Sequence, residues 1–376
     1  MKTINGVATS AIIFNTNTNE HSIDDYAIAQ IKNLCDNPAF SGCKIRVMPD
    51  VHPGKVGTIG FTSTLGEQIL PNVIGIDIGC GMTLAKAKGK IKEFQKIDTV
   101  IRENIPSGFS VRTKTHHNAF NFDLSSLYCY KHIQEKKALL SLGTLGGGNH
   151  FIEVDQDEDN NSYLVIHSGS RHLGFEVTEY YLREGQRLLK EQGIEIPYEL
   201  TYLTGELMQQ YFHDLAIVQD FATRNREIMI AEICKGMKWK IQGTYSCIHN
   251  YVDFNTNTPV LRKGAISAKA GEPVIIPINM RDGIILGIGL GNDEWNQSAP
   301  HGAGRILKRE DVRKSYTVST YKKEMKGIYS TCINKDTLDE APFAYRRIEE
   351  IIDVIGTTVK VDKIIKPIYN FKASRN

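Results

Sequence analysis

The chain has 376 residues, a formal charge of +2 at pH 7 and 41% hydrophobic residues. This length and composition suit a globular protein with a substantial buried core, and the near-neutral charge means that an RNA or DNA partner needs a local basic patch. No stretch approaches the roughly 18 apolar residues that span a bilayer, and the first twenty residues lack the pattern of a secretion signal. We expect a cytoplasmic protein with no membrane partner.

Apolar patterning along the chain predicts a mixed α and β protein. In chain order it predicts a strand over 73–79, a helix over 133–142, a strand over 163–170, helices over 177–192 and 207–237, a strand over 272–280 and a helix over 340–356. No Pro/Ser-rich linker, low-complexity tract or repeat divides these elements. The sequence therefore predicts one continuous domain over residues 1–376.

Two predicted segments are given no functional role. The apolar positions of the helix over 207–237 are most simply a buried face packed on a sheet, so this helix is interpreted as scaffold. The acidic run "DQDEDNNS" at 155–162 is interpreted as a solvated turn between two strands, since charge runs are usually exposed.

The seven cysteines are scattered and have no CxxC spacing, at positions 35, 43, 80, 129, 234, 247 and 332. An odd number without paired spacing argues against a disulfide framework and against a zinc finger. We expect most of them to be buried thiols in a reducing compartment.

Polar residues of metal-binding type stand beside glycines at strand ends, where glycine lets a ligand approach the backbone. Each histidine alone is more simply a hydrogen-bonded core or surface residue, and Cys80 alone is more simply a packed thiol. Together they offer a mixed oxygen, nitrogen and sulfur donor set, which favours a transition metal between manganese and zinc over calcium or magnesium. The candidate ligands are Asp77, Cys80, His150, His167 and His249.

Further glycine-framed motifs are equipped to bind phosphate. The segments "GGGNH" and "SGSR", the latter with Arg171, offer backbone N–H groups, hydroxyls and a guanidinium, yet neither forms a Walker or dinucleotide-binding motif. In "PHGAGR", His301 precedes Arg305 by four residues in a frame that suits a nucleophilic histidine. A turn histidine without a role is the alternative.

These segments resemble the RtcB-type RNA-splicing ligases, over nearly the whole chain and in order. The resemblance implies an α+β fold peculiar to that family, with sheets surrounding a central metal and nucleotide cleft. It also implies GTP- and manganese-dependent joining of RNA 3′-phosphate or 2′,3′-cyclic phosphate ends to 5′-hydroxyl ends, in RNA repair or tRNA splicing. The matching segments are "DVHPGKVGTIG", "GIDIGCGM", "LGTLGGGNHFIEV", "HSGSRHLG", "FATRNREIM", "HNYVD", "RKGAISAKAGE", "PHGAGR", "DEAPFAYRRIEEII" and "IIKPIYNFK".

The resemblance also implies roles for individual residues. The five candidate ligands would hold two Mn²⁺ ions, with the Cys80 thiolate shared between them, and His301 would form a covalent histidine–GMP intermediate. Arg171 and Arg305 would bind phosphates of the nucleotide or the RNA, with a structural role in ion pairs as the alternative. The implied nucleotide-binding residues are Asp50, Asn149, Phe151, Glu153, Ala303 and Lys372. The implied partners are GTP, RNA with broken or spliced ends such as tRNA or rRNA, and a helper protein for turnover.

The loop over 278–292 departs from the family pattern. Ile284 stands where the family has a serine expected to contact guanine, which puts recognition of guanine in question. This departure motivates an alternative, a metal-dependent RNA-end phosphodiesterase or phosphatase that has lost nucleotidyl transfer. A non-catalytic RNA-binding accessory protein is a third interpretation, and the complete ligand set speaks against it.

Overall fold

The structure is a computed structural model that describes residues 1–15, 23–119 and 122–373. The strands are β1 (Lys2–Asn5), β2 (Ser10–Ile13), β3 (Ile45–Pro53), β4 (Thr58–Thr64), β5 (Gly81–Ala87), β6 (Phe151–Gln156), β7 (Ser162–Ser168), β8 (Ile241–Ile248), β9 (Asn250–Asp253), β10 (Val260–Lys263), β11 (Ala265–Ser267), β12 (Pro273–Asn279), β13 (Gly283–Gly289), β14 (Ser298–Pro300) and β15 (Val359–Lys372). The α-helices are α1 (Asp25–Asp36), α2 (Pro71–Ile74), α3 (Phe94–Asn104), α4 (Glu135–Ser141), α5 (Arg171–Glu191), α6 (Gly205–Met237), α7 (Arg309–Ser315), α8 (Val318–Glu324) and α9 (Ile348–Ile355).

Two large sheets organise the molecule. One has six strands in the order β1-β2-β3-β4-β10-β9, and the other has seven in the order β12-β13-β15-β6-β7-β5-β8, while β11 pairs with β14. Neighbouring strands are antiparallel except β2 and β3, which run parallel. The arrangement confirms the predicted α+β fold.

Three apolar clusters hold these layers together. The six-stranded sheet packs with α1, α2, α5 and the first half of α6. One face of the seven-stranded sheet covers α3 and the second half of α6. On the other face the sheet curls, so that its strands β12 and β13, together with α9, pack against its strands β5, β6 and β7. Burial of these apolar faces supplies the main favourable term in folding, and the curl leaves a cleft beside the ends of β5 to β8.

Most of the predicted elements are confirmed, and two need correction. The predicted strand over 73–79 is wrong, because Pro71 opens the short helix α2 and the chain then turns into β5. Proline suits the first helical position, where its missing N–H costs nothing. The predicted helix over 340–356 shortens to α9, Ile348–Ile355, because the Pro342 ring disfavours a helical residue before it and opens a separate 3₁₀ turn.

The acidic run at 155–162 also needs a partial correction. A turn does connect β6 and β7, but Asp155 and Asp157 are buried. Asp157 accepts hydrogen bonds from Tyr163 and Asn161. Because side chains alternate along a strand, Asp155 shares the inward face of β6 with Glu153. None of the helices in the described ranges is long and apolar enough to span a membrane.

Candidate active site

Four of the candidate ligands come together because four adjacent antiparallel strands begin or end at the same end of the sheet. Cys80 precedes β5, His150 precedes β6, His167 lies near the end of β7 and His249 follows β8. Cys80 Sγ lies 3.4 Å from Nε2 of both His150 and His167, and the Nε2 atoms of His167 and His249 lie 3.5 Å apart. The donor atoms of Cys80, His150 and His167 all lie within 4.8 Å of one another.

Backbone carbonyls orient two of these imidazoles. His150 Nδ1 donates to Leu145 O at 2.9 Å, and His167 Nδ1 donates to Asn149 O at 3.2 Å. A proton fixed on Nδ1 leaves the Nε2 lone pair facing Cys80. Metal-binding histidines in proteins are commonly oriented in this way, by a hydrogen bond from the ring nitrogen that does not bind the metal. Burial lowers the pKa of His167 and of His249 well below the usual range, so these imidazoles are neutral and able to bind a cation.

Asp77 closes the open side of the cluster. Its Oδ2 lies 3.1 Å from His150 Nε2 and its Oδ1 accepts from the Ser170 N–H at 3.0 Å. Burial would raise the pKa of Asp77, but the contact with His150 Nε2 lowers it to about 2 in the metal-free site, where that nitrogen can carry a second proton that a bound cation would displace. A Cβ on Gly169 would lie 2.0 Å from Asp77 Oδ1, so only glycine leaves room for this carboxylate.

The donor set fits a divalent transition metal. Burial, followed by the charge of Asp77, raises the pKa of the Cys80 thiol well above its usual range; a bound cation reverses this by stabilising the thiolate. His249 Nδ1 is buried and receives no hydrogen bond from the described residues. Convergent thiol, imidazole and carboxylate donors of this kind match metals between manganese and zinc.

Arg226 lies beneath the cluster and was not singled out from the sequence, since it stands in the helix interpreted as scaffold. It extends from α6, is fully buried, and donates to Gly79 O at 3.0 Å, Ser168 O at 2.8 Å and Thr83 Oγ1 at 2.9 Å. Of these acceptors, Gly79 directly precedes Cys80 and Ser168 directly follows His167. Arg226 therefore ties the two strands that carry these ligands to the longest helix.

We expect Arg226→Met to lower the free energy of unfolding by about 3–5 kcal/mol, because it leaves several buried acceptors without a donor. Urea denaturation measures this loss. Arg224→Met is the matched control on the same helix, where the side chain is 50% exposed, and should change the stability by less than about 1 kcal/mol. Equal effects of the two substitutions would show that the buried hydrogen bonds of Arg226 contribute little.

His301 lies next to the cluster and is oriented by Asp50. Its Nδ1 lies 2.7 Å from Oδ2 of Asp50, which is fully buried on β3, and its ring centre is 4.8 Å from that of His249. Gly304 brings the His301 loop against β3, since a Cβ at Gly304 would lie 2.4 Å from Asp50 O. Asp50 thus stands behind His301 rather than among the cavity-lining residues.

A cavity opens beside His301 and His167. Besides these histidines, its walls include most of the residues predicted to bind nucleotide, namely Asn149, Phe151, Glu153, Ala303 and Lys372, and also Arg305 and Ile284. Arg171 lies elsewhere, beside Asp77, where its guanidinium donates to Gly108 O and Thr144 Oγ1.

An ion-pair network on the cavity wall was missed from the sequence. Glu340 Oε2 lies 3.0 Å from Lys372 Nζ, and Glu340 also pairs with Arg305 and Arg309. Burial would raise the pKa of Glu340, but the charges of Lys372 and the two arginines lower it to about 2. Lys372 Nζ also lies 5.6 Å from the Phe151 ring centre. The signal in the sequence that could have pointed to Glu340 was its place in "DEAPFAYRR", one of the segments that resemble the family.

The chain is similar to known proteins over most of its length. A family model described as "tRNA-splicing ligase RtcB" matches residues 30–130 and 124–373. "RNA-splicing ligase RtcB" of Escherichia coli is 32% identical over 357 residues, covering 84% of this chain and 87% of the relative. "RNA-splicing ligase RtcB2" of Escherichia coli is 26% identical and covers 97% of each chain. "tRNA-splicing ligase RtcB" of Methanococcus maripaludis is 27% identical and covers 91% of each.

Proposed function

The chain belongs to the RtcB family, and from that membership we propose that it is a GTP-dependent RNA ligase. It joins an RNA 3′-phosphate or 2′,3′-cyclic phosphate end to a 5′-hydroxyl end, in RNA repair or tRNA splicing. The observation that carries the proposal is the position of His301, whose ring lies beside His249 of the ligand cluster and lines the cavity. A nucleophile, a metal site and a nucleotide pocket are thereby adjacent.

In this proposal Asp77, Cys80, His150, His167 and His249 hold two Mn²⁺ ions. The metal supplies Lewis-acid polarisation of a phosphate group. The protein supplies the arrangement, because carbonyls behind His150 and His167 and the amide of Ser170 behind Asp77 fix the donor atoms before any cation binds.

His301 acts as the nucleophile through Nε2. Because Nδ1–H donates to Asp50, the lone pair is on Nε2, and Asp50 stabilises the positive charge that develops on the ring. Nε2 forms a bond to the α-phosphorus of GTP as the bond to the pyrophosphate oxygen breaks. An oxygen of the RNA 3′-phosphate then attacks that phosphorus and releases His301. Finally the 5′-hydroxyl oxygen attacks the RNA phosphorus, its proton passes to solvent, and GMP leaves as the phosphoanhydride bond breaks.

The cavity residues bind the guanylate. The Glu153 carboxylate accepts from the N–H groups on the guanine edge, Lys372 donates to that edge, and Asn149, Phe151 and Ala303 complete the contacts. Arg305 on the cavity wall and Arg171 beside Asp77 bind phosphate oxygens, for which a planar guanidinium is well suited.

Ile284 favours a second candidate function. It is buried on the cavity wall and offers no hydroxyl group to a base. A chain that keeps the metal ligands but binds GTP too weakly would open cyclic phosphates or release phosphate without joining ends. This candidate is a metal-dependent RNA-end phosphodiesterase or phosphatase.

Covalent labelling by α-³²P GTP in the presence of Mn²⁺ tests the proposal against this alternative. We expect a labelled protein band after denaturing electrophoresis that survives excess ATP and disappears with excess unlabelled GTP. Failure to label protein that contains manganese, together with GTP-independent opening of a 2′,3′-cyclic phosphate, would contradict the ligase and support the phosphodiesterase.

A further inference from the structure

We propose that Asp155 is a positioning residue for base recognition, whose neutral carboxyl group donates a hydrogen bond to the Glu153 carboxylate and holds it toward the guanine edge. This inference rests on the proposed function, in which Glu153 binds guanine. Asp155 belongs to the acidic run that the sequence placed in a solvated turn, and none of the proposed reaction steps uses it.

The two carboxyl groups share one inward face of β6. Glu153 is 2% exposed and lines the cavity, while Asp155 is 0% exposed and lies two residues further along the strand. Both oxygens of Asp155 are buried, and no donor group of the described residues reaches them. The Glu153 carboxyl group lies two residues away on the same face of β6, and its negative charge adds to burial in raising the pKa of Asp155.

Two buried carboxyl groups two residues apart on one strand face are not both ionised, so the pair holds a proton. The donors around the pair decide where the charge lies. Asn370 Nδ2 donates to Glu153 Oε2 at 2.6 Å, and the ammonium of Lys372 lowers the pKa of Glu153. Asp155 has no comparable donor, so the proton stays on Asp155 and the negative charge on Glu153.

The directions of the two pKa shifts agree with this assignment. Burial, then the charge and hydrogen bond of Glu153, raises the pKa of Asp155 well above its usual range. Burial raises the pKa of Glu153 to about 7, against the lowering effects of the Asp155 and Asn370 hydrogen bonds and the Lys372 charge. Removing the Asp155 donor therefore raises the pKa of Glu153 further.

The other charged and titratable groups near the pair are already engaged. On β7, Tyr163 lies opposite Asp155 and donates its hydroxyl to Asp157. On β15, Lys363 pairs with Asp157. Lys372 is paired with Glu340 from the segment before α9. None of these groups donates to Asp155, and we assign Glu153, on the same face of β6, as the acceptor of the Asp155 proton.

The charge on Glu153 determines which base edge fits. The guanine edge presents two N–H donors, which an ionised carboxylate accepts, whereas a protonated carboxyl group has a donor of its own and matches this edge poorly. By holding Glu153 ionised, Asp155 preserves guanine binding down to lower pH. Loss of one hydrogen bond to a charged group corresponds to a change of about tenfold or more in affinity.

The test compares Asp155→Val, Asp155→Asn and Asp159→Asn with the unaltered chain by the KM for GTP and the kcat of protein labelling between pH 6 and 9. We expect Asp155→Val to raise the KM about tenfold at pH 7.5, where Glu153 of the unaltered chain is mostly ionised, with recovery toward pH 9 and little change in kcat. Asp155→Asn keeps a donor and should retain the low KM. Asp159 is exposed in the same acidic run, so Asp159→Asn should have no effect. A KM for Asp155→Val equal to that of the unaltered chain at every pH would overturn the inference.

An infrared measurement separates failure of this inference from failure of the proposed function. We expect a protonated-carboxyl band at pH 7.5 in the unaltered chain, absent in Asp155→Asn and retained in Asp159→Asn. If the chain does not react with GTP but the band is present, the proposed function fails and the proton on Asp155 stands. If labelling occurs and the band is absent, the inference is overturned and the proposed function stands.

Discussion

Substitution of His301 by alanine is expected to abolish covalent labelling by GTP, with a loss of at least about 10³-fold in rate, while manganese binding is retained. The reason is geometric, because His301 presents Nε2 to the cavity while Asp50 holds Nδ1 at 2.7 Å. The imidazole is within a half-buried loop, so its removal leaves a small space without disturbing the strands that carry the other histidines.

The control for this experiment is His213→Ala, since His213 lies on α6 with 45% of its side chain exposed. It should label at the unaltered rate. Manganese content per chain, measured on both variants, separates loss of the nucleophile from loss of the metal site. Residual labelling of the His301 variant above one tenth of the unaltered rate would mean that another residue accepts the guanylate.

Substitution of Cys80 by alanine is expected to weaken manganese binding by at least about 100-fold and to abolish both labelling and RNA joining. Cys80 Sγ is the atom toward which His150 and His167 both point, so its removal takes the central donor from the cluster. The substitution removes little volume, and we expect the thermal stability of the metal-free protein to change only slightly.

Isothermal titration of manganese into the metal-free protein measures this effect. Cys234→Ala is the matched control, because Cys234 is a partly buried thiol on α6 outside the cluster. Its affinity for manganese should equal that of the unaltered chain. If Cys80→Ala bound manganese as tightly as Cys234→Ala, a central role for the thiolate would be wrong.

The spacing of apolar residues predicted helices and strands correctly where one or two faces of the element are buried. The β-branched runs at 163–170 and 272–280 correspond to β7 and β12, and the long apolar pattern over 207–237 corresponds to α6. The run at 73–79 has the same apolar character but forms a helical turn and a loop, because Pro71 and the following glycines set the backbone locally. Apolar content alone does not distinguish these cases.

Four of the five candidate ligands could be singled out from the sequence because each stands within two residues of a glycine, whereas His249 has no such neighbour. Adjacent antiparallel strands then bring alternate strand ends together at one end of the sheet. Contacts between distant segments could not be predicted in this way. Arg226 beneath Cys80, Glu340 against Lys372 and the burial of Asp155 all depend on the tertiary structure. The acidic run shows why, since composition indicates exposure while strand alternation turns Asp155 inward.

The fate of a labelled RNA 3′-phosphate tests the central claim most directly. One RNA fragment carries ³²P in its 3′-phosphate, a second carries a 5′-hydroxyl, and both are incubated with the protein, Mn²⁺ and GTP. The account predicts a longer RNA that holds the label in a phosphatase-resistant internal position, and no such product without GTP. Release of the label as inorganic phosphate, with no joined RNA at any GTP concentration, would contradict it.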